Sequence, residues 1–318
     1  MIKLLWRTDI HMSDKTPVSR TDDWRATLTK KLKKVGELAK DFDAVLDGGD
    51  FFDIKSPTRN SHSLVREMID IHNDYPVPVY ANVGNHDCVY GDYTFLHQQP
   101  LGVLFSSGCF KRLYDEHEVI FEKDGLKVRV VGIPYHGVHY DMERFKSITK
   151  GDEDYLVCVA HVLASEKGGS MFEGEDIVKY SDLENLAPDV WCFGHWHKDQ
   201  GITEIAPNKW VVNIGSMTRG SLTQDNIERI PYLGSLCFDE NGIHLKKIPL
   251  EVQPSEEVFD LAKREKEEIR EDTMTTFVGS LKESLATCSE TDLRESVMAL
   301  EIPNSIKERA LLYLEQVQ

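Results

Sequence analysis

Tyr80-Ala81-Asn82-Val83-Gly84-Asn85-His86-Asp87 is the stretch on which the reading of this chain turns. The apolar residues over 77–83 predict a buried strand that stops at Gly84. Asn85, His86 and Asp87 follow at once: a neutral oxygen ligand, a proton carrier, and a carboxylate able to orient a histidine. Open α/β sheets present their ligands at the carboxyl ends of strands. By itself the stretch is a weak signal, because Asn, Asp and Gly are ordinary loop residues. Its weight comes from the other strand ends.

Upstream, residues 2–8 read as a buried strand leading into Asp9-Ile10-His11, and 44–46 as one leading into Asp47-Gly48-Gly49-Asp50. Between them Trp24, Leu28, Leu32, Val35 and Leu38 recur at helical spacing. Thr21 opens that helix, with Asp22 and Asp23 in its first turn. A second helix is predicted over about 61–73. Strands and helices alternate, and each strand ends beside an Asp or Asn. This predicts a parallel sheet of the α/β class with its site at the carboxyl edge.

Downstream, residues 95–104 read as a helix. Residues 119–121 and 127–133 read as a hairpin around Lys123-Asp124-Gly125. A buried strand over 155–160 ends at His161, and one over 190–193 ends at Gly194-His195-Trp196-His197. Ser181-Asp182-Leu183-Glu184 is a capping box that predicts a helix start. A strand over 210–214 runs into Gly215-Ser216, and 233–238 with 243–248 form a closing hairpin through Glu240-Asn241-Gly242. From about Pro254 the strands stop. Ser255 with Glu256 and Glu257, Ser289-Glu290-Thr291-Asp292 and Ser305-Ile306-Lys307-Glu308 each open a helical pattern. One domain over 1–250 and a small helical C-terminal region over 251–318 are therefore expected.

The composition is that of a soluble globular chain: 318 residues, 41% hydrophobic and 29% charged. No apolar run approaches the roughly 20 residues that span a bilayer. The apolar start meets Arg7 and Asp9 too soon to be a signal peptide. The six Cys are scattered without a CxxC pair, and Cys158 and Cys192 sit in apolar runs. Reduced buried thiols and a cytoplasmic location are expected. The net charge of −17 argues against a simple basic nucleic-acid clamp. It leaves room for a nuclease whose bound cations supply the positive charge where a phosphate sits. Residues 251–318 carry 16 acidic and 8 basic side chains, so the tail is acidic.

Collected, the polar strand ends are Asp9 and His11, Asp50, Asn85 with His86 and Asp87, His161, and His195 with His197. A pair of divalent ions ~3.5–4 Å apart needs a bridging carboxylate and further ligands on each side. Four His, two Asp and one Asn supply these, with His86 left over. The mixture of imidazole and oxygen suits Mn²⁺, Fe or Zn²⁺ better than Mg²⁺ or Ca²⁺. A lone buried His is more often a satisfied core residue, and an Asp at a strand end more often a cap. Five strand ends in order are hard to explain that way.

The ordered set Asp9-Ile10-His11, Gly49-Asp50, Gly84-Asn85-His86-Asp87, His161 and Gly194-His195-Trp196-His197 resembles the calcineurin-like metallophosphoesterases over about residues 1–250. The resemblance implies a β-sandwich flanked by helices around a two-metal site. It implies that Asp9, His11, Asp50 and His197 hold one ion, and that Asp50, Asn85, His161 and His195 hold the other. Asp50 would bridge, His86 would protonate the leaving oxygen, and Asp87 would orient His86.

Within that family, Gly49-Asp50-Phe51-Phe52-Asp53 followed by Pro57 resembles SbcD-type DNA-repair nucleases, as does the stretch from Val212 to Arg219. That likeness implies a manganese-dependent DNA exo- or endonuclease, with Arg219 and His11 as candidates for a substrate phosphate contact. It also implies that the helical tail docks an SbcC-type ATPase, with a homodimer as a further candidate assembly and no membrane partner. The alternative enzyme reading is a phosphodiesterase or phosphatase acting on a small molecule or phosphoprotein. A non-catalytic scaffold is the third reading, and the intact ligand set opposes it.

Overall fold

The computed structural model describes residues 1–54, 60–168, 174–264, 297–300, 304, 306–307 and 311. The chain divides into two compact units, Met1–Phe259 and Asp260–Gln318. In the first, elements follow in the order β1 (Ile2–Arg7), α1 (Trp24–Ala39), β2 (Ala44–Asp47), α2 (His62–Asn73), β3 (Val79–Ala81), α3 (Pro100–Ser107), β4 (Phe110–Arg112), β5 (Val119–Lys123), β6 (Leu126–Ile133), α4 (Met142–Lys146) and β7 (Tyr155–His161). The short strands β8 (Ala164–Ser165) and β9 (Val178–Lys179) come next, then β10 (Val190–Gly194), β11 (Gly201–Ala206), β12 (Lys209–Asn213), α5 (Gln224–Glu228), β13 (Tyr232–Asp239), β14 (Gly242–Pro249) and α6 (Ser255–Val258).

Two mixed sheets of six strands result, ordered β14-β13-β1-β2-β3-β4 and β11-β12-β10-β7-β6-β5. Strands β1 to β4 pair in parallel, as do β6, β7, β10 and β12, and the antiparallel hairpin strands lie toward the edges. The parallel reading therefore holds within each six-stranded sheet, the two sheets match the sandwich that the resemblance implies, and β8 and β9 pair apart as a two-stranded sheet. Period-two alternation explains the layering. Leu4, Trp6, Leu46, Val157, Val159, Cys192 and Val212 share a core fed by both sheets. Leu5 and Val45 face the other way, into a core completed by Leu28, Leu32, Leu64, Met68 and Leu104 of α1, α2 and α3. Leu156, Cys158 and Ala160 do the same on the second sheet, against Phe145 of α4. Buried on both faces, these strands read as continuous apolar runs.

Local chemistry sets the boundaries. Asp23, not Thr21, caps α1 by accepting from the Ala26 amide, and Ser61 caps α2 by accepting from Leu64. Asp124 and Gly125 both have positive φ, the two-residue turn that suits a twisted hairpin. The helix predicted over 95–104 is split: a 3₁₀ turn over Tyr93–Gln98, then α3 beginning at Pro100. No α-helix starts at Ser181. A 3₁₀ turn over Tyr180–Asp182 buries Tyr180 and Leu183, and the chain turns at once toward Pro188 and β10. Residues 251–259, expected in the C-terminal region, belong to the first unit: Arg219 donates to the Gln253 carbonyl and the Ser255 hydroxyl, and Phe259 lies under the Arg20 guanidinium. The patterns opened by Ser289 and Ser305 fall almost wholly outside the described residues. Among the described residues no helix is long and apolar enough to cross a membrane, and Cys88, Cys109, Cys158, Cys192 and Cys237 are free thiols.

Candidate metal centre

The carboxyl ends of β1, β2, β3, β7 and β10 converge. Asp9, His11, Asp50 and His197 each offer a ligand atom within 4.8 Å of one another, and so do Asp50, His161 and His195. Asp50 is common to both groups. His11 Nε2 lies 2.9 Å from His197 Nε2 and 3.7 Å from Asp50 Oδ2, and His197 Nε2 lies 3.5 Å from Asp9 Oδ1. His161 Nε2 is 3.3 Å from Asp50 Oδ2. Its other nitrogen, Nδ1, donates to the Gly48 carbonyl at 2.8 Å, which leaves Nε2 as the nitrogen turned toward Asp50.

This crowding of lone pairs is a test of whether cations belong here. Asp50 Oδ2, Asn85 Oδ1 and His161 Nε2 are buried atoms without a hydrogen-bond partner among the described residues. Buried polar atoms are normally paired, and an ion explains the exception. The mixed imidazole, carboxylate and amide donors fit borderline divalent metals. Electrostatics agree. Burial would raise the Asp50 carboxyl, but His161 and His86 hold it well below the usual range. Burial would raise Asp9 too, and the hydrogen bond from His197 with the charges of His161 and His197 lowers it. Burial and then the His197 charge push His11 down to about 3. Burial would lower His161, but Asp50 overrides it and lifts the imidazole to about 9, so Nε2 carries a proton that a bound ion would displace. Two ionised carboxylates thus face a cage that accepts positive charge.

The backbone is bent to build this cage. Asp9, His11, Asp50 and His195 all take positive φ, at 54°, 53°, 52° and 91°. Such conformations cost about 1–3 kcal/mol each and concentrate at functional sites. Asp9 is clamped by the Ser216 hydroxyl, which donates to its carbonyl at 2.8 Å, and by the Thr8 hydroxyl on Oδ2 at 2.7 Å. The His195 amide donates to the Asp9 carboxylate at 3.1 Å. Glycine is needed at 84, because a β-carbon there would collide with Asp50 Oδ1 and the Asp50 amide.

His86 stands beside the cage, its ring 4.7 Å from that of His11, and its backbone amide donates to Asp50 Oδ1 at 2.7 Å. Its Nδ1 faces Asp53 Oδ1 at 2.8 Å. The residue expected to orient it, Asp87, does not: Asp87 accepts from the amides of Phe52 and Gly84, each at 3.0 Å. Burial, with Asp50 nearby, pushes the Asp87 carboxyl up to about 8. Asp87 holds the loop and Asp53 holds the histidine. Asp53 was visible in the sequence as the last residue of Gly49-Asp50-Phe51-Phe52-Asp53, though not as a partner of His86.

Arg219, the candidate phosphate contact, is buried. Its guanidinium donates to the carbonyls of Gln253 and Ile227 and to the Ser255 hydroxyl, and lies 5.6 Å from the Phe259 ring centroid. These contacts engage both terminal nitrogens inside the fold and oppose a role on substrate. Glu175 was not anticipated at all. Its Oε1 sits 3.0 Å from His195 Nε2.

The Calcineurin-like phosphoesterase family model matches residues 2–199. An uncharacterized metallophosphoesterase from Bacillus subtilis (strain 168), YhaO, is 25% identical over 172 residues, 52% of this chain and 39% of that protein. The chain thus spans about two fifths of the length of the curated relative it matches. Among solved structures, TT1561 of Thermus thermophilus is 14% identical at a TM-score of 0.47, over 79% of this chain and 99% of that one. The Haemophilus influenzae NAD nucleotidase NadN is 14% identical at a TM-score of 0.41, over 78% of this chain and 49% of that one. With the family model covering every strand end that delivers a candidate ligand, the chain belongs to the calcineurin-like phosphoesterase family.

Proposed function

We propose that this chain hydrolyses phosphodiesters with two divalent ions, Mn²⁺ foremost, and that its substrate is DNA, cleaved as by an SbcD-type exo- or endonuclease in repair or recombination. The observation that carries the two-ion reading is the placement of Asp50. It belongs to both ligand groups, and its buried Oδ2 lacks a hydrogen-bond partner among the described residues. Asp9, His11, Asp50 and His197 would hold one ion, and Asp50, Asn85, His161 and His195 the other. Bound there, the ions would supply an acidified water and neutralise charge building on the phosphate oxygens.

The chain's own residues do the rest. Asp53 accepts from His86 Nδ1–H and holds the ring in place, and that hydrogen bond keeps Asp53 below the usual carboxylate range. His86 then delivers a proton from Nε2 to the departing oxygen. The Thr8 and Ser216 hydroxyls and the His195 amide fix Asp9, so the ligand geometry is set before substrate arrives.

The DNA reading is supported by the likeness of Gly49-Asp50-Phe51-Phe52-Asp53 and of the Val212 to Arg219 stretch to SbcD-type nucleases. It extends to the acidic region over 251–318 as a docking segment for an SbcC-type ATPase, with a homodimer as a second assembly. A phosphodiesterase or phosphatase acting on a small molecule or phosphoprotein is the second reading. It is favoured by the net charge of −17 and by the internal engagement of Arg219. Turnover of single- and double-stranded DNA, a cyclic nucleotide and a phosphopeptide, each with Mn²⁺, separates the two. Preference for DNA supports the nuclease, and preference for either other substrate replaces it.

A further inference from the structure

Glu175 lies outside the ligand set, on the segment that enters β9, yet its side chain is 7% exposed and touches a candidate ligand. Its surroundings fix the direction of the two hydrogen bonds at its Oε1. The Leu163 amide donates to the Tyr140 hydroxyl oxygen at 2.9 Å. The hydroxyl proton is therefore free to go to Glu175 Oε1, 2.6 Å away. The same Oε1 faces His195 Nε2 at 3.0 Å, and a carboxylate that already receives the tyrosine proton can only accept from the imidazole. The segment is anchored on both sides: the Asp176 amide donates to the Val138 carbonyl at 2.8 Å, and the Val178 amide to the Leu163 carbonyl at 2.9 Å.

We infer that Glu175 is a positioning residue of the metal centre: it locks His195 in the Nε2–H tautomer and so presents the Nδ1 lone pair to the cage formed with Asp50 and His161. The inference rests on the two-ion reading above. His161 is the mirror case. There the Gly48 carbonyl takes the Nδ1 proton and the Nε2 lone pair is left for the cage. The two imidazoles, with ring centroids 5.2 Å apart, thus need opposite tautomers, and each has its own acceptor to enforce it. In the opposite tautomer His195 would set its Nε2 lone pair against the carboxylate, which is repulsive. Tyr140 extends the device by holding Glu175 to the end of β7, the strand that delivers His161.

The test is a calorimetric Mn²⁺ titration of the full chain after chelator treatment, for wild type, Glu175→Ala, Glu175→Gln and Tyr140→Phe. The wild type is expected to take up two ions. Glu175→Ala is expected to weaken one of them about 10–100-fold, the usual effect of losing the partner of a ligating histidine, and to leave the other unchanged. Glu175→Gln is expected to restore most of the loss, because its amide oxygen still accepts from Nε2–H. Thermal unfolding in chelator checks that the variants fold, and Tyr140→Phe, expected to weaken the same ion, repeats the test should Glu175→Ala be unfolded. Wild-type affinity for both ions in Glu175→Ala, or a loss in Glu175→Gln as deep as in Glu175→Ala, overturns the tautomer lock and leaves the two-ion reading intact. A wild type that binds no pair of ions overturns both.

Discussion

His86 Nδ1 lies 2.8 Å from Asp53 Oδ1, whereas Asp87, its neighbour in the chain, spends both carboxylate oxygens on the amides of Phe52 and Gly84. The two aspartates therefore fail differently. Asp53→Asn should lower kcat tenfold or more, part of the ~10²–10⁴ that a positioned acid contributes, with metal content and thermal stability unchanged. Asp87→Asn should instead turn an NH₂ group toward a buried amide donor and cost about 1–3 kcal/mol. Unfolding midpoints, metal analysis and turnover measured on the same two variants check both expectations.

Gly84 is where the strand end and the bridging carboxylate meet. Gly84→Ala should displace Asp50, because the three atoms nearest the added carbon all belong to Asp50. Loss of both ions together is the expected result, since Asp50 serves both groups. Metal stoichiometry after gel filtration reads it, and retention of one ion would show that Asp50 is not shared.

Arg219 ties residues 253–255 and Phe259 to the loop that follows β12. Arg219→Ala strands the Gln253 carbonyl, while Ile227 keeps the Ser255 hydroxyl as donor, and should destabilise the fold by about 1–3 kcal/mol. Because the guanidinium is occupied within the fold, KM for DNA should stay near the wild-type value. A large rise in KM without loss of stability would return Arg219 to the substrate.

His72 supplies a pH dependence from outside the ligand set, its ring 5.4 Å from that of Phe51. Its Nδ1 donates to the Met68 carbonyl at 2.7 Å, and its Nε2 accepts from Arg7 Nη2 at 3.0 Å, so the folded imidazole is neutral. Burial, then the Arg7 charge, keeps its pKa well below the ordinary value. The unfolded chain takes up this proton below pH ~6.5 and the folded chain does not, so stability falls as pH falls. The slope from this group approaches about 1.4 kcal/mol per pH unit below that point. Denaturant unfolding between pH 7 and pH 5 should show it, and His72→Gln should remove that share of the slope.

Much of the centre was legible because five apolar strands each break into a polar cluster, and an apolar-to-polar break is a local signal. Asp9, His11, Asp50, Asn85, His161, His195 and His197 could be collected in that way, and the structure brings the ends that carry them together. What escaped was nonlocal. His86 and Asp53 are 33 residues apart, so adjacency favoured Asp87. Glu175 lies beyond a Gly-rich loop with no periodic pattern around it. Arg219 looked like a surface cation because its acceptors, the carbonyls of Ile227 and Gln253, come from later segments. Residue patterns alone also could not divide the parallel strands between two sheets, since β1 and β7 are equally apolar on both faces. The false helix at Ser181 arose from a correct capping pattern overridden by the burial of Tyr180 and Leu183 and by the early Pro188.

The most direct test of metal-dependent phosphodiester hydrolysis is bound metal and DNA hydrolysis measured together, in Mn²⁺, for wild type and His86→Ala. The account predicts two ions in both proteins and a fall in hydrolysis of about 10²–10⁴ in the variant alone. Full hydrolysis by His86→Ala, or a wild type that cleaves phosphodiesters after its metal has been stripped, would contradict it.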